Sequence, residues 1–354
     1  MTPGSNGARP AAASPHVIAL DAMGGDRAPG VVVEGAVDAA RAHGLTVLLV
    51  GPRATIEAEL ARHNTTGINL EIVETDEVIA MNEQPARALR QKPRASLKLA
   101  IDLAAEGRAA AAYSAGNSGA VMAAALFAMR RLPGIERPAF GSPVPNSNGL
   151  TFLIDMGANA ECKPVYLLQF AAMGVAYMRL AFGHDNPTVG LLSNGEEEEK
   201  GTPLVKDAHR LLKASGLNFA GNIEGKDVFA GTVDVAVADG FSGNVLLKAA
   251  EGTRAMIEDA LRSELERSLR TRLGALLAMP AFRAMRRRFD PEEYGGAPVL
   301  GVNGVVLKGH GRSGPKAIRN GLRLAHDLAE NGLIGAISRE VERLTVNLES
   351  GAET

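Results

Sequence analysis

Tryptophan is absent from this 354-residue chain, aromatic residues make up only 4% of it, and Cys162 is its one cysteine. A lone thiol excludes an intramolecular disulfide framework and any metal site built from several cysteines, and it fits a reducing compartment. Excess charge of one sign is also lacking. A formal net charge of -2 gives no global case for nucleic acid as a partner. No run of about 18 to 20 apolar residues suggests a membrane span. The first fifteen residues are rich in Ala, Pro, Gly and Ser but lack the apolar centre of a signal peptide, so 1–15 reads as a flexible extension. Neither Gly-x4-Gly-Lys-Ser/Thr nor His-Glu-x-x-His occurs, which removes P-loop nucleotide hydrolysis and zincin chemistry.

What the chain does have is glycine, 40 residues of it, and short apolar runs of the kind that become buried parallel strands. Such runs fall at Val17 to Leu20, Thr46 to Val50, Leu70 to Val73, Ala109 to Tyr113, Thr151 to Ile154, Thr188 to Leu192, Val233 to Ala238 and Gly304 to Leu307. Helical spacing fills the intervals, from Pro29, over Ser96 to Ala105, Val165 to Phe182 and Pro203 to Ala214, and again from Pro315. This alternation predicts an α/β fold, a three-layer α/β/α doubly wound and mostly parallel sheet. No repeat or glycine-serine linker divides residues 16–345, which are expected to form one compact domain with room for two lobes. Within it Val245 to Arg288 carries no strand signal and predicts a projecting helical region over 243–290, interrupted at Gly274 and Pro280. Residues 346–354 are left as a tail.

Several of the apolar runs lead straight into loops of Gly, Asn, Asp and Ser. These are Asp21 to Asp26, Ser114 to Gly119, Asp155 to Asn159 with Lys163 behind it, Asn194 to Gly201, Asp239 to Asn244 with Lys248 one turn later, and Lys308 to Gly311. In a parallel sheet the carboxyl ends of the strands share one edge, so loops far apart in sequence can line one crevice. Glycine admits close backbone approach, and N–H groups at the following helix start suit an anion, with phosphate the obvious type. Asp26, Gly116, Asn117, Ser118, Asn159, Ser242, Asn244 and Asn303 add neutral or polar contacts, and Lys163, Lys200, Lys248 and Lys308 add charge. The plainer alternative is that each loop only turns the chain, with Asp, Asn and Ser as helix caps. Asp21 and Asp239 are favoured as functional carboxylates.

Gly309-x-Gly311-x-x-Gly314 matches a dinucleotide fingerprint, but the chain beyond it stays helical instead of returning as a second strand. Cys162 reads as a small buried side chain rather than a nucleophile. Glu196 to Glu199 lack accompanying His or Asp ligands and read as a solvated helix start with one Glu turned inward. No metal is implied. His310, between glycines and beside Lys308, is placed to contact an anion or protonate a leaving group.

In order along the chain, Ile18 to Asp26, Ser114 to Gly119, Asp155 to Asn159, Gly190 to Gly201, Asp239 to Gly252 and Gly295 to Gly311 resemble the bacterial phosphate acyltransferases of phospholipid synthesis. The resemblance spans 16 to about 345. It departs at Ser118, where threonine is usual, and at Gly309, where serine is common. It implies a cytoplasmic homodimer, partly peripheral on the inner face of the membrane, with a fold like those of phosphotransacetylases and isopropylmalate dehydrogenases. It further implies acyl transfer from acyl carrier protein to inorganic phosphate without a cofactor, the acyl phosphate passing to a membrane glycerol-3-phosphate acyltransferase. On that reading Gly24, Gly25, Asn117, Ser118 and Lys163 hold phosphate, with Asp26, Ser114, Gly116, Asn194, Lys200, Lys248 and Asn303 beside it. Asn159, Ser242 and Asn244 stabilise the oxyanion, and Lys308 or His310 eases departure of the thiolate. Asp21, Lys163, Asp239, Asn244, Lys308 and His310 form the catalytic set. A phosphotransacylase using short-chain acyl-CoA and a non-catalytic scaffold are the alternatives.

Leu273 to Phe289 is predicted as a basic amphipathic helix, with Leu276, Leu277, Phe282 and Phe289 apolar and Arg283 and Arg287 cationic. It suits packing in a dimer, docking on an anionic membrane, or capture of an acidic carrier protein.

Overall fold

A computed structural model describes residues 16–351; the expected extension 1–15 and residues 352–354 lie outside the described residues. From the start come β1 (Val17–Asp21), α1 (Gly30–His43), β2 (Thr46–Gly51), α2 (Arg53–Leu60), β3 (Asn69–Glu74), α3 (Pro85–Gln91), α4 (Ser96–Ala105), β4 (Ala111–Ser114) and α5 (Ser118–Met129). The middle holds β5 (Ala139–Pro145), β6 (Leu150–Ile154), α6 (Pro164–Phe182), β7 (Val189–Leu192), α7 (Pro203–Ala214), β8 (Phe219–Ile223), α8 (Gly225–Ala230), β9 (Val235–Val237), α9 (Gly240–Glu266) and α10 (Leu269–Arg288). Last are β10 (Ala297–Leu300), β11 (Val305–Lys308), α11 (Pro315–Glu330) and α12 (Leu333–Gly351). The chain forms two compact units, residues 16–138 with Tyr294–Ser338, and Ala139–Glu293 with 339–351.

In the first unit the strands lie in the order β3-β2-β1-β4-β11-β10, all parallel but for the antiparallel β10–β11 pair. The chain winds outward from β1 to β3, then returns to place β4 on the other side of β1. That reversal puts a switch point, where such sheets bind ligands, at the carboxyl ends of β1 and β4. Ile18, Leu20, Leu49 and Ile101 are fully buried around this sheet, each burial worth about 1.5–3 kcal/mol. Helices α1 and α11 cover one face in close contact. A side chain on Gly35 would bring its Cβ to 2.5 Å from Cβ of Ile318, so only glycine permits that approach.

The second unit orders its strands β5-β6-β9-β7-β8, with β5–β6 antiparallel and the rest parallel. Its core helix is α6, whose residues from Tyr166 to Met178 are all buried. Among the described residues it is the one helix long and apolar enough to cross a membrane, and its burial marks it as an interior helix.

Three expectations need correction. The helical region is not broken at Gly274 or Pro280, both of which lie inside α10. The break falls between α9 and α10, where Ser268 Oγ accepts from Thr271 N at 3.2 Å and Thr271 Oγ1 accepts from Ser268 N at 3.1 Å, a reciprocal cap that starts a new helix. Strands β5, β8 and β10 were not foreseen, since Pro143, Pro145 and Pro298 interrupt the apolar pattern and β8 is a partly polar edge strand. The tail drawn from 346 begins inside α12.

Candidate active site

At the carboxyl edge of the first unit, register aligns Leu20 with Tyr113 and Lys308 with Ser114, so the loops after β1, β4 and β11 leave the sheet side by side. Asp21 is buried there. Its Oδ2 accepts from Ser114 Oγ at 2.6 Å and its Oδ1 from Met23 N at 3.2 Å. Ser114 Oγ in turn accepts from Gly116 N at 3.0 Å, which fixes the start of the next loop. Burial pushes the Asp21 carboxyl above the ordinary range, with the hydroxyls of Ser114 and Ser96 pulling it part of the way back. Gly24 is obligatory here: a Cβ would stand 2.6 Å from Asp21 Oδ2 and 2.8 Å from Gly116 N. Gly25 adopts φ +106, a left-handed conformation suited to glycine, and Asp26 N donates to Gly311 O at 2.8 Å.

The loop after β4 feeds the first turn of α5. Asn117 caps it, its Oδ1 accepting from Ala120 N at 3.0 Å while its Nδ2 donates to the carbonyls of Met81 and Glu83 at 2.9 and 3.0 Å. The capping alternative therefore accounts for the whole Asn117 amide. Ser118 and Gly119 follow, both exposed, and their N–H groups find no acceptor among the described residues. This turn joins unpaired donors, the positive end of a helix and a hydroxyl, the requirements for holding an oxyanion.

Lys308 ends β11 and donates through Nζ to Gly309 O. His310 is exposed and its Nδ1 accepts from Arg312 N at 3.1 Å, which assigns the proton of the neutral ring to Nε2. Glycine at 309, where serine is common in the resembling family, has a steric cause: a Cβ there would lie 2.2 Å from Tyr113 Oη, whose hydroxyl donates to Gly295 O at 2.8 Å. Asn303 is not part of this edge. It precedes β11, at the amino end of the strand, where its N–H donates to Arg130 O at 2.9 Å, and its grouping with the phosphate contacts is corrected accordingly.

Asp155, at the end of β6 in the second unit, is also buried, but its oxygens are saturated. Oδ1 accepts from the N–H groups of Phe140, Gly157 and Ala158 at 3.1, 3.2 and 3.1 Å. Oδ2 accepts from the backbone and side-chain nitrogens of Asn159 at 2.7 and 2.9 Å. Burial raises its pKa, and these hydrogen bonds act in the opposite sense. The start of α9 packs tightly on this loop, since a Cβ on Gly243 would meet Asp155 O at 2.0 Å. Asp239 caps α9 with both oxygens, accepting from Ser242 N at 2.9 Å and from Ser242 Oγ at 2.7 Å. Its geometry is that of the helix cap first weighed against a catalytic role.

Asn244 is exposed on the first turn of α9 beside Gly157, and Lys163 is exposed at the start of α6 with Nζ 6.0 Å from the centre of the Tyr166 ring. Lys248 pairs with Glu251 at 2.8 Å, on the helix surface. Asn194 and Lys200 are exposed in the loop after β7. None of Glu196 to Glu199 turns inward; all are exposed in turns rather than a helix, with Glu198 paired to Lys213 at 2.8 Å and Glu196 to Lys226 at 3.3 Å. Cys162 is half-buried with Sγ 3.4 Å from Asn159 O.

Sequence reasoning missed Ser96, whose hydroxyl adds to the support of Asp21 although Ser96 opens α4 in a region with no glycine-rich signal. The fingerprint at Gly309 to Gly314 leads into α11 and then α12, with no following strand among the described residues.

The profile of the fatty acid synthesis protein family matches residues 16–335. A phosphate acyltransferase from Pelotomaculum thermopropionicum is 48% identical over 334 residues, covering 94% of this chain and 97% of that protein. Another from Syntrophotalea carbinolica is 48% identical, covering 88% of this chain and 90% of its own. A solved phosphotransacetylase from Streptococcus pyogenes shares the fold at a TM-score of 0.57 and 16% identity, over 92% of this chain and 94% of that one.

Proposed function

The chain belongs to the fatty acid synthesis protein family and is an acyltransferase, and from that premise we propose that it moves a long-chain fatty acyl group from acyl carrier protein to inorganic phosphate, making acyl phosphate for phospholipid synthesis. The observation that carries this reading is the first turn of α5, where the unpaired N–H groups of Ser118 and Gly119 and the Ser118 hydroxyl present donors to an oxyanion. Gly24 and Gly25 let the loop after β1 pack closely on Gly116 and Gly311, and the Asp21–Ser114 pair holds that loop in shape.

Phosphate is already an oxygen nucleophile at neutral pH, so placement is the main demand. A phosphate oxygen attacks the thioester carbonyl carbon, forming a C–O bond. The tetrahedral intermediate collapses with cleavage of the C–S bond, and the proton given up by phosphate ends on the departing sulfur. His310, with its proton on Nε2, and Lys308 are the groups proposed to ease that departure. In the second unit, two of the donors expected for the acyl oxyanion are committed elsewhere, Asn159 to Asp155 and Ser242 to Asp239, while Asn244 and Lys163 stay exposed at the starts of α9 and α6. Asp239 and Lys248 are left with cap and surface roles by their partners.

The reading extends to a homodimer that works in the cytoplasm and docks reversibly on an anionic membrane surface, delivering acyl phosphate to a membrane glycerol-3-phosphate acyltransferase. Support comes from α10 and Phe289 just past its end: Leu276, Leu277 and Phe289 are exposed with Arg283 and Arg287, while Phe282 is half-buried.

Incubating purified protein with phosphate and a long-chain acyl carrier protein, and trapping the product with hydroxylamine, tests the chemistry. Acyl hydroxamate dependent on both substrates is expected. Product from short-chain acyl-CoA alone, or no product, would reject the assignment. Liposome flotation tests the docking, with loss of binding expected for Leu277→Ser together with Phe289→Ser and unchanged binding rejecting it.

A further inference from the structure

Away from the carboxyl-edge loops, His16 and His326 face one another at the start of β1 and near the end of α11. His16 Nδ1 and His326 Nε2 are 3.0 Å apart, although 310 positions separate the residues in sequence. Glu330 lies one helical turn beyond His326, and ligand atoms of His16, His326 and Glu330 all fall within 4.8 Å of one another. We propose that these side chains form a site for a divalent transition metal of the zinc class, one that clips the start of β1 to α11.

The donor chemistry selects the ion. Two imidazole nitrogens and one carboxylate oxygen are a recurrent zinc ligand set, with solvent completing a tetrahedron. Two nitrogens bound at about 2.0–2.1 Å in that geometry stand about 3.3 Å apart, so the pair needs to open by only a few tenths of an ångström. Magnesium and calcium, which prefer oxygen ligands, are disfavoured. The remaining nitrogen of His326 is already engaged, Nδ1 lying 3.2 Å from Asp327 Oδ1, and Glu330 Oε2, 3.7 Å from the same Nδ1, turns from it to the ion. A proton on Nδ1 shared with Asp327 directs the Nε2 lone pair at His16, the arrangement that commonly orients a metal-bound imidazole. Both ligand platforms are anchored. His326 is largely buried on α11, and the His16 carbonyl accepts from Thr46 N at 2.8 Å, which opens the β1–β2 pairing.

The cluster Glu196, Glu224 and Asp227 competes poorly for such an ion. Glu196 and Glu224 pair with Lys226, and Glu224 and Asp227 form the reciprocal cap of α8.

Titrating tag-free, chelator-treated full-length protein with zinc against a chromophoric competitor tests the proposal. One equivalent is expected to bind at this site, with the thermal midpoint rising as zinc is added. His16→Ala, an exposed position whose change leaves the fold intact, is expected to abolish both effects, as is His326→Ala. Asp327→Asn, a positioning change, is expected to weaken binding by about 10- to 100-fold. A tetrahedral cobalt(II) spectrum, lost in His16→Ala, would support the assignment independently of stability. Absence of stoichiometric binding, wild-type affinity in both histidine variants, or displacement of zinc by excess magnesium would overturn it.

Discussion

Two buried aspartates end strands in the two units, and they are built differently. Asp155 receives five hydrogen bonds from four residues, all belonging to its own loop or the neighbouring strand, so its charge is consumed in shaping the chain. Asp21 is held by the Ser114 hydroxyl and one backbone N–H, with Ser96 adding a second hydroxyl. Hydroxyls rotate and accept as readily as they donate, whereas backbone N–H groups cannot. The helix starts contrast in the same sense. In α9 the cap residue Asp239 takes up Ser242 with both oxygens, while α5 leaves Ser118 and Gly119 unpaired. A strand-end Asp followed by glycine is thus one sequence signal with two outcomes, a self-satisfied turn and a turn with donors to spare.

The largest expected effect separates the two carboxylates. Asp155→Asn turns an NH2 group toward at least one backbone N–H that cannot turn away, and a loss of about 3 kcal/mol is expected in denaturant midpoints. Asp21→Asn is expected to be tolerated. Because burial raises its folded-state pKa above the unfolded value, the native state favours protonated Asp21, and stability falls as pH rises through that raised value. The asparagine variant lacks this loss, so its stability should match or exceed wild type at about pH 7 and depend less on pH down to about pH 4. An asparagine variant that loses stability at neutral pH would erase the distinction.

Next in size is Gly309→Ser, which restores the hydroxyl common at that position in the resembling family. The Cβ would meet Tyr113 Oη, and a loss of about 2 kcal/mol is expected, partly recovered in the double variant with Tyr113→Phe. The helix starts are compared by Ser118→Ala and Ser242→Ala. The first should raise the KM for phosphate about tenfold with stability unchanged, the second should cost about 1 kcal/mol of stability and leave that KM alone. Steady-state kinetics beside thermal melts checks both, and the reverse pattern would place the anion at α9.

Much of this architecture was legible in the sequence because fully buried parallel strands are nearly continuous apolar runs; β1, β2, β6 and β7 fall where such runs do. The proline-bearing strands β5 and β10 were not, since Pro143, Pro145 and Pro298 break the apolar runs that mark a strand. Among the candidate residues, chemical type was visible but commitment was not. Nothing local distinguishes Asn117 or Asp239, whose polar atoms are used by caps, from Ser118, whose backbone donor is left over. The support of Asp21 by Ser96 and the meeting of His16 with His326 depend on tertiary contact alone.

Backbone amide shifts during titration with inorganic phosphate test most directly where the anion is held. Saturable shifts led by Ser118 and Gly119, and lost on adding Ser118→Ala to the comparison, are the expected result. Shifts confined to residues 240–244, with α5 silent, would contradict it.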